Sequence, residues 1–150
     1  MTHGGTSESF RRAELREMYV SKVPMISIVD DDESVRETLK GLMRSFGLKA
    51  SAFASAEEFL DSNRLHDTAC LITDVQMHGM SGVDLQNLLL AQGHRMAIIF
   101  MTAFPEEGTR IRALNAGAIG FLGKPLDEKT LIDCLDRALK SCGFKTLEHD

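Results

Sequence analysis

Apolar positions in this chain fall into two alternating kinds of block. Short, almost unbroken apolar runs stand at Met25-Ile26-Ser27-Ile28-Val29, Cys70-Leu71-Ile72-Thr73, Met96-Ala97-Ile98-Ile99-Phe100-Met101 and Ala118 to Leu122. Runs of that length and density predict strands covered on both faces. Leu48 to Phe53 is a weaker, half-polar run suited to a sheet edge. Between the runs, apolar residues recur at helical spacing. Val35, Leu39, Leu42, Met43 and Phe46 form one stripe, and Leu131, Ile132, Leu135 and Leu139 another. A capping-box pattern at Ser55-Ala56-Glu57-Glu58 opens a short helix with Phe59 and Leu60 inward. Further helices are predicted from Val83 to Gln92 and from Glu106 to Ala116. Gly47 and Gly117 sit where helices end, and Asp127 where the last begins.

The order is strand then helix, five times. Right-handed crossovers turn this into an α/β three-layer (βα)5 sandwich around a parallel five-stranded sheet. The flavodoxin-like strand order 2-1-3-4-5 places the weak second strand at an edge and the apolar first, third and fourth inside. A length of 150 residues suits one domain with a proper core. The expected division is an N-terminal extension over 1–24, a domain over 25–140 and a polar tail over 141–150. Residues 1–24 read as a flexible lead or as a short helix, from Phe10 to Val20, that docks on the domain or on a second copy.

The formal charge of −5 disfavours direct nucleic-acid binding by this segment. Three scattered cysteines (Cys70, Cys134 and Cys142) suit a reducing cytoplasm. No apolar run approaches the ~18–20 residues that span a bilayer, and the N-terminus lacks the apolar stretch of a secretory signal.

In a parallel sheet every strand delivers its carboxyl end to one rim. Asp30 and Asp31 follow the first strand, Asp74 closes the third, Thr102 the fourth, and Lys124 comes just after the fifth. Two like charges ~4 Å apart repel by about 4 kcal/mol at an effective dielectric near 20, so three clustered acids call for a cation. Oxygen donors with room for water suit Mg2+. Asp74, between such an ion and the Thr102 and Lys124 donors, is the natural nucleophile for phosphoryl transfer. Singly, each residue has a plainer reading. Asp30-Asp31-Asp32 is also what a helix macrodipole favours, Thr102 a strand-end cap and Lys124 a turn lysine. Their joint arrival at four strand ends favours the site.

Residues 25–140 resemble a response-regulator receiver domain (CheY-like) of bacterial two-component systems, and are most similar to the FixJ-type subgroup. The resemblance rests on Ile28-Val29-Asp30-Asp31-Asp32-Glu33, Ile72-Thr73-Asp74, Met80-Ser81-Gly82-Val83, Met101-Thr102-Ala103 and Lys124-Pro125. It implies that Asp74 accepts phosphate from a sensor histidine kinase. Mg2+ would be ligated by Asp31 and Asp74, by Asp30 through water, and by the Gln76 backbone carbonyl, with Asp32 left nearer a helix cap. Thr102 and Lys124 would hold the phosphoryl group, and the Lys124–Pro125 bond would be cis. Thr102 and Phe121 would form the switch that remodels the face made by the fourth helix, fifth strand and fifth helix, which is also the face for a homodimer. The implied role is a phosphorylation-switched signalling domain with only intrinsic phosphorylation and dephosphorylation chemistry, not an enzyme in its own right.

Proline usually follows the methionine in the loop after the phosphoacceptor, and here it is His78. The change frees an N–H and loosens φ. His78 either tunes the phosphoryl lifetime with pH or is an exposed loop residue without a role. Gln76 and Phe104 hold the family's variable tuning positions, and Phe104 is bulky enough to shield an acyl phosphate. FixJ-type receivers are commonly followed by a helix-turn-helix domain, absent here. The chain is therefore expected to control transcription through that missing domain or, alternatively, to act alone by protein contact. A haloacid-dehalogenase-type phosphatase also begins from Asp-x-Asp, but expects Thr or Val where this chain has Ser34, and it carries a late acidic pair that this chain lacks.

Overall fold

The computed structural model describes residues 23–144. The expectation of a lead or a short helix within 1–22 lies outside them. Among the described residues, five strands alternate with five helices. The strands are β1 (Met25–Val29), β2 (Lys49–Phe53), β3 (Thr68–Asp74), β4 (Ala97–Thr102) and β5 (Gly120–Gly123). The helices are α1 (Glu33–Ser45), α2 (Ala56–Leu60), α3 (Gly82–Ala91), α4 (Glu107–Asn115) and α5 (Glu128–Ser141).

All neighbouring strands pair in parallel, in the order β2-β1-β3-β4-β5. The edge position of β2 follows from its composition: none of its five residues is buried, whereas all six residues of β4 are. A central strand is covered on both faces and must be apolar throughout.

Side chains alternate across the sheet, so each strand feeds two cores. On one face, Ile26, Ile28, Cys70, Ile72, Ile99 and Met101 pack under the stripes of α1 and α5, chiefly Leu39, Met43, Leu131, Leu135 and Leu139. On the other, Val29, Leu71, Ile98 and Phe100 meet Phe59, Leu85, Leu89 and Ala113 from α2, α3 and α4. The two cores hold β1, β3 and β4 rigid between them, and those strands carry most of the rim.

Local chemistry sets the helix starts. Asp32, Ser55, Ser81 and Asp127 each accept a backbone N–H of the first turn. Gly47 and Gly117 follow helix ends at φ +79 and +103, a region that side chains with a Cβ resist. β3 starts two residues before the apolar run does. There the Thr68 and Ser27 hydroxyls share a buried 2.7 Å hydrogen bond, a polar pairing that hydrophobic pattern does not reveal. At the other end the described residues continue to 144. α5 includes Ser141, Gly143 turns the chain at φ +88, and Phe144 packs back on the α5 side of the core.

Candidate functional site

The parallel sheet brings four strand ends to one rim, where open α/β folds hold their ligands. Asp30 and Asp31 follow β1, Asp74 is the last residue of β3, Thr102 the last of β4, and Lys124 follows β5. Asp30 is fully buried, Asp74 is nearly so, and Asp31 faces solvent. One carboxylate oxygen from each of these three acids lies within 4.8 Å of the others. Lys124 reaches in from the far side, its Nζ donating to Asp30 Oδ2 at 2.8 Å and to Asp74 Oδ2 at 2.8 Å. Asp32 turns away as the cap of α1, accepting the Ser34 N–H at 2.8 Å, while its own N–H donates to Asp30 Oδ1 at 2.8 Å.

Burial pushes the Asp30 carboxyl above its ordinary value, against the lowering pull of the Lys124 and Asp32 hydrogen bonds. For Lys124, burial works to lower the ammonium's pKa, but the hydrogen bonds to Asp30 and Asp74 outweigh it and the net direction is up. Asp32, held by the Ser34 hydroxyl and N–H, sits below the usual carboxylate value. Three carboxylates against one ammonium leave two negative charges in the cluster. A divalent ion matches that deficit, and the all-oxygen donor set with one solvent-facing member fits Mg2+. Bound there, the ion supplies charge neutralisation.

The loop after Asp74 is pinned at several points. The Gln76 N–H donates to Asp74 Oδ1 at 3.1 Å, and the Met80 N–H to Glu57 Oε2 at 3.0 Å. Gly79 stands between them at φ +79. His78 projects outward, almost fully exposed, with Nδ1 3.2 Å from Asp31 Oδ2. Gly82 brings the start of α3 against Asp74, where a Cβ would lie 2.2 Å from the Asp74 carbonyl oxygen. Only glycine permits that approach.

Thr102 is buried, and its hydroxyl accepts the Phe104 N–H at 3.1 Å. Its carbonyl accepts the Lys124 N–H at 2.8 Å, which ties β4 to the lysine. Phe104 is 69% exposed. Phe121 is half-buried, its ring centroid 6.1 Å from that of Phe100. The Lys124–Pro125 peptide is cis.

Two contributors escaped the sequence. Arg36 of α1 donates to the Asp30 carbonyl at 2.9 Å and anchors the acidic loop. Glu57 of α2 holds the Met80 loop. Both look like ordinary surface charges on amphipathic helices, and nothing in their local pattern marks them.

The response regulator receiver domain model matches residues 26–136, and the chain belongs to that family. It is 41% identical over 116 residues to the response regulator protein TmoT of Ectopseudomonas mendocina, covering 77% of this chain and 53% of that protein. It is 39% identical over 114 residues to the transcriptional regulatory protein FixJ of Azorhizobium caulinodans, covering 76% of this chain and 54% of that protein. The chain thus spans about half the length of these curated relatives. Among solved structures, the low-resolution structure of response regulator StyR superposes with a TM-score of 0.74 at 42% identity, over 79% of this chain and 60% of that one. The FixJ-N crystal structure gives 0.68 at 32% identity, over 77% of this chain and 92% of that one. The fold class and the FixJ-type resemblance read from the sequence therefore hold. Receiver domains of two-component systems accept phosphate from histidine kinases and bind Mg2+ in an acidic pocket, and this chain has an acidic cluster of Asp30, Asp31 and Asp74 at the rim. Among the described residues, no helix is long and apolar enough to cross a membrane.

Proposed function

We propose that Asp74 is the phosphoacceptor of this receiver and that a sensor histidine kinase is its donor. An Asp74 carboxylate oxygen attacks the phosphorus of a phosphohistidine. The O–P bond forms as the N–P bond breaks, and the departing imidazole keeps the electron pair and takes a proton from water. Asp31, Asp74 and the Gln76 carbonyl, with Asp30 through water, would hold Mg2+. Lys124 and Thr102 then hold the transferred phosphoryl oxygens. The supporting observation is the double contact of Lys124, whose ammonium rests on Asp30 and Asp74 at 2.8 Å each and is already beside the acceptor oxygen.

The phosphoryl group acts as the differential contact that shifts a two-state switch. Thr102 moves toward it, Phe121 turns inward, and the α4–β5–α5 face changes to favour a second copy or another partner. With relatives that include transcriptional regulatory proteins and of which this chain matches about half, the output we favour is control of transcription through a DNA-binding segment of a longer protein, in the cytoplasm. The domain itself is a signalling switch, not an enzyme with a turnover substrate. Intact mass after incubation with acetyl phosphate and Mg2+ tests the reading. One phosphoryl adduct is expected, and it is expected to vanish in Asp74→Asn, which keeps Asp30 and Asp31. An adduct that survives this substitution would overturn the assignment.

A further inference from the structure

The loop between β3 and α3 borders the acidic cluster. Gln76, Met77 and His78 form, with Asp31, the wall of an open recess of about 240 Å3. At the base of the loop the Gly82 N–H donates to the Val75 carbonyl at 2.9 Å, and the Gln76 N–H donates to Asp74 Oδ1 at 3.1 Å. Lys124 takes the other oxygen, Oδ2, at 2.8 Å. The place of the loop therefore helps set how the Asp74 carboxylate is turned.

The far side of this loop rests on Glu57. Its Oε2 accepts the Met80 N–H at 3.0 Å. Gly79, at φ +79, lies so close to the same carboxylate that a Cβ there would stand 2.8 Å from Oε2. Two successive residues thus meet one side chain, and a residue without a Cβ is what lets the backbone come down on it. Glu57 itself stands on a fixed base. The Ser55 hydroxyl accepts the Glu58 N–H at 3.1 Å and starts α2, while Ala56 and Phe59 of the same helix are fully buried. A carboxylate carried on so firmly seated an element is a preorganised support.

We propose that Glu57 is a positioning residue for the divalent ion. By holding Gly79 and Met80 it sets the 76–78 stretch and the Asp74 carboxylate in the arrangement that takes Mg2+, without touching the ion. The inference rests on the reading that the Asp30–Asp31–Asp74 cluster binds Mg2+. Groups one hydrogen bond removed from the ligands raise metal affinity when they fix ligand orientation. Glu57 acts through its acceptor oxygen and not through its charge, so glutamine, whose amide oxygen also accepts, serves in its place.

Isothermal titration calorimetry with Mg2+ on wild type, Glu57→Ala and Glu57→Gln tests this. The Kd is expected to rise about fivefold in Glu57→Ala, the loss of one exposed hydrogen bond, and to stay within about twofold of wild type in Glu57→Gln. Acetyl phosphate labelling of the same proteins, read by intact mass, is expected to need about fivefold more Mg2+ for half its maximal rate in Glu57→Ala, yet to reach the wild-type rate at saturating Mg2+. A saturating rate that stays depressed would mean general damage and overturn the proposal. Equal Mg2+ affinity in wild type and Glu57→Ala overturns it too, as does a Glu57→Gln protein that binds as weakly as Glu57→Ala, since the effect is then one of charge. Those results leave the cluster's own Mg2+ binding standing, whereas a wild-type protein that binds no Mg2+ overturns that reading and the proposal with it.

Discussion

Lys124 Nζ lies 2.8 Å from Asp74 Oδ2, and the same ammonium is 2.8 Å from Asp30 Oδ2. One cation thus holds two carboxylates that would otherwise repel in a nearly water-free setting. Removing it leaves them uncompensated. Lys124→Met is expected to lower unfolding stability at neutral pH by about 2–3 kcal/mol, less than a fully buried pair because the lysine keeps some solvent. Urea melts at falling pH check the cause, since protonating the acids must shrink the deficit. In Asp30→Asn/Lys124→Met the combined loss is expected to fall short of the sum by about 1 kcal/mol or more. Strict additivity would mean that the contact carries no coupling.

The raised Asp30 pKa has a definite sign in stability. The folded state keeps the Asp30 proton to higher pH than the unfolded chain, whose ordinary value is 3.8. Folding therefore gains from this group below 3.8 and loses that gain as pH rises through the folded value. Wild type should lose stability relative to Asp30→Asn across that window, by comparison of urea melts at matched pH. The Lys124 contribution runs the other way along the scale. Its folded pKa lies above the ordinary 10.5, so its stabilisation is complete below 10.5 and lost above the folded value. A difference between the two proteins that stays flat from pH 3 to about 7 would contradict the Asp30 assignment.

Two glycines are required by contact distance and not by φ. A Cβ on Gly82 would stand 2.2 Å from the Asp74 carbonyl oxygen, and one on Gly120 would stand 2.7 Å from Cys134 Sγ. Backbone cannot yield where a side chain can. Gly82→Ala is expected to cost about 3 kcal/mol and to slow phosphorylation by displacing α3. Gly120→Ala is expected to cost about 1–3 kcal/mol, largely recovered by adding Cys134→Ala, which removes the obstructing sulfur. Thermal melts of the two single variants and the double decide this. Failure of the second substitution to rescue would mean that β5 rejects the methyl for another reason.

Glu57, on α2, holds the loop after Asp74 through the Met80 N–H. Glu57→Ala removes the acceptor of the Met80 N–H, so hydrogen exchange at Met80 is expected to quicken about fivefold, the loss of one exposed hydrogen bond worth about 1 kcal/mol. Exchange unchanged at that amide would mean that the loop is held without Glu57.

Phe104, 69% exposed on the loop after Thr102, is proposed to screen the acyl phosphate from water. Phe104→Ala is then expected to shorten the phosphorylated lifetime several-fold, read as decay of the adduct by intact mass. An unchanged lifetime would leave the ring without that role.

How much of this was written in the chain can be argued from single residues. The five strands, the edge position of β2 and the acids at strand ends are legible because burial on two faces demands continuous apolar runs, and such runs must stop where polar chemistry begins. Asp32 as a cap and Ser55 as the start of α2 are local hydrogen-bond choices made within three residues. Tertiary packing decided the pairings across the chain. Lys124 meets Asp30 over 94 residues and Asp74 over 50, Glu57 meets Met80 over 23, and His78 meets Asp31 over 47. No local pattern encodes which of three neighbouring aspartates a lysine will choose, or which exposed acid will hold a distant loop. Those choices follow from where the crossovers of a twisted parallel sheet set each side chain, and only the assembled rim fixes the distances.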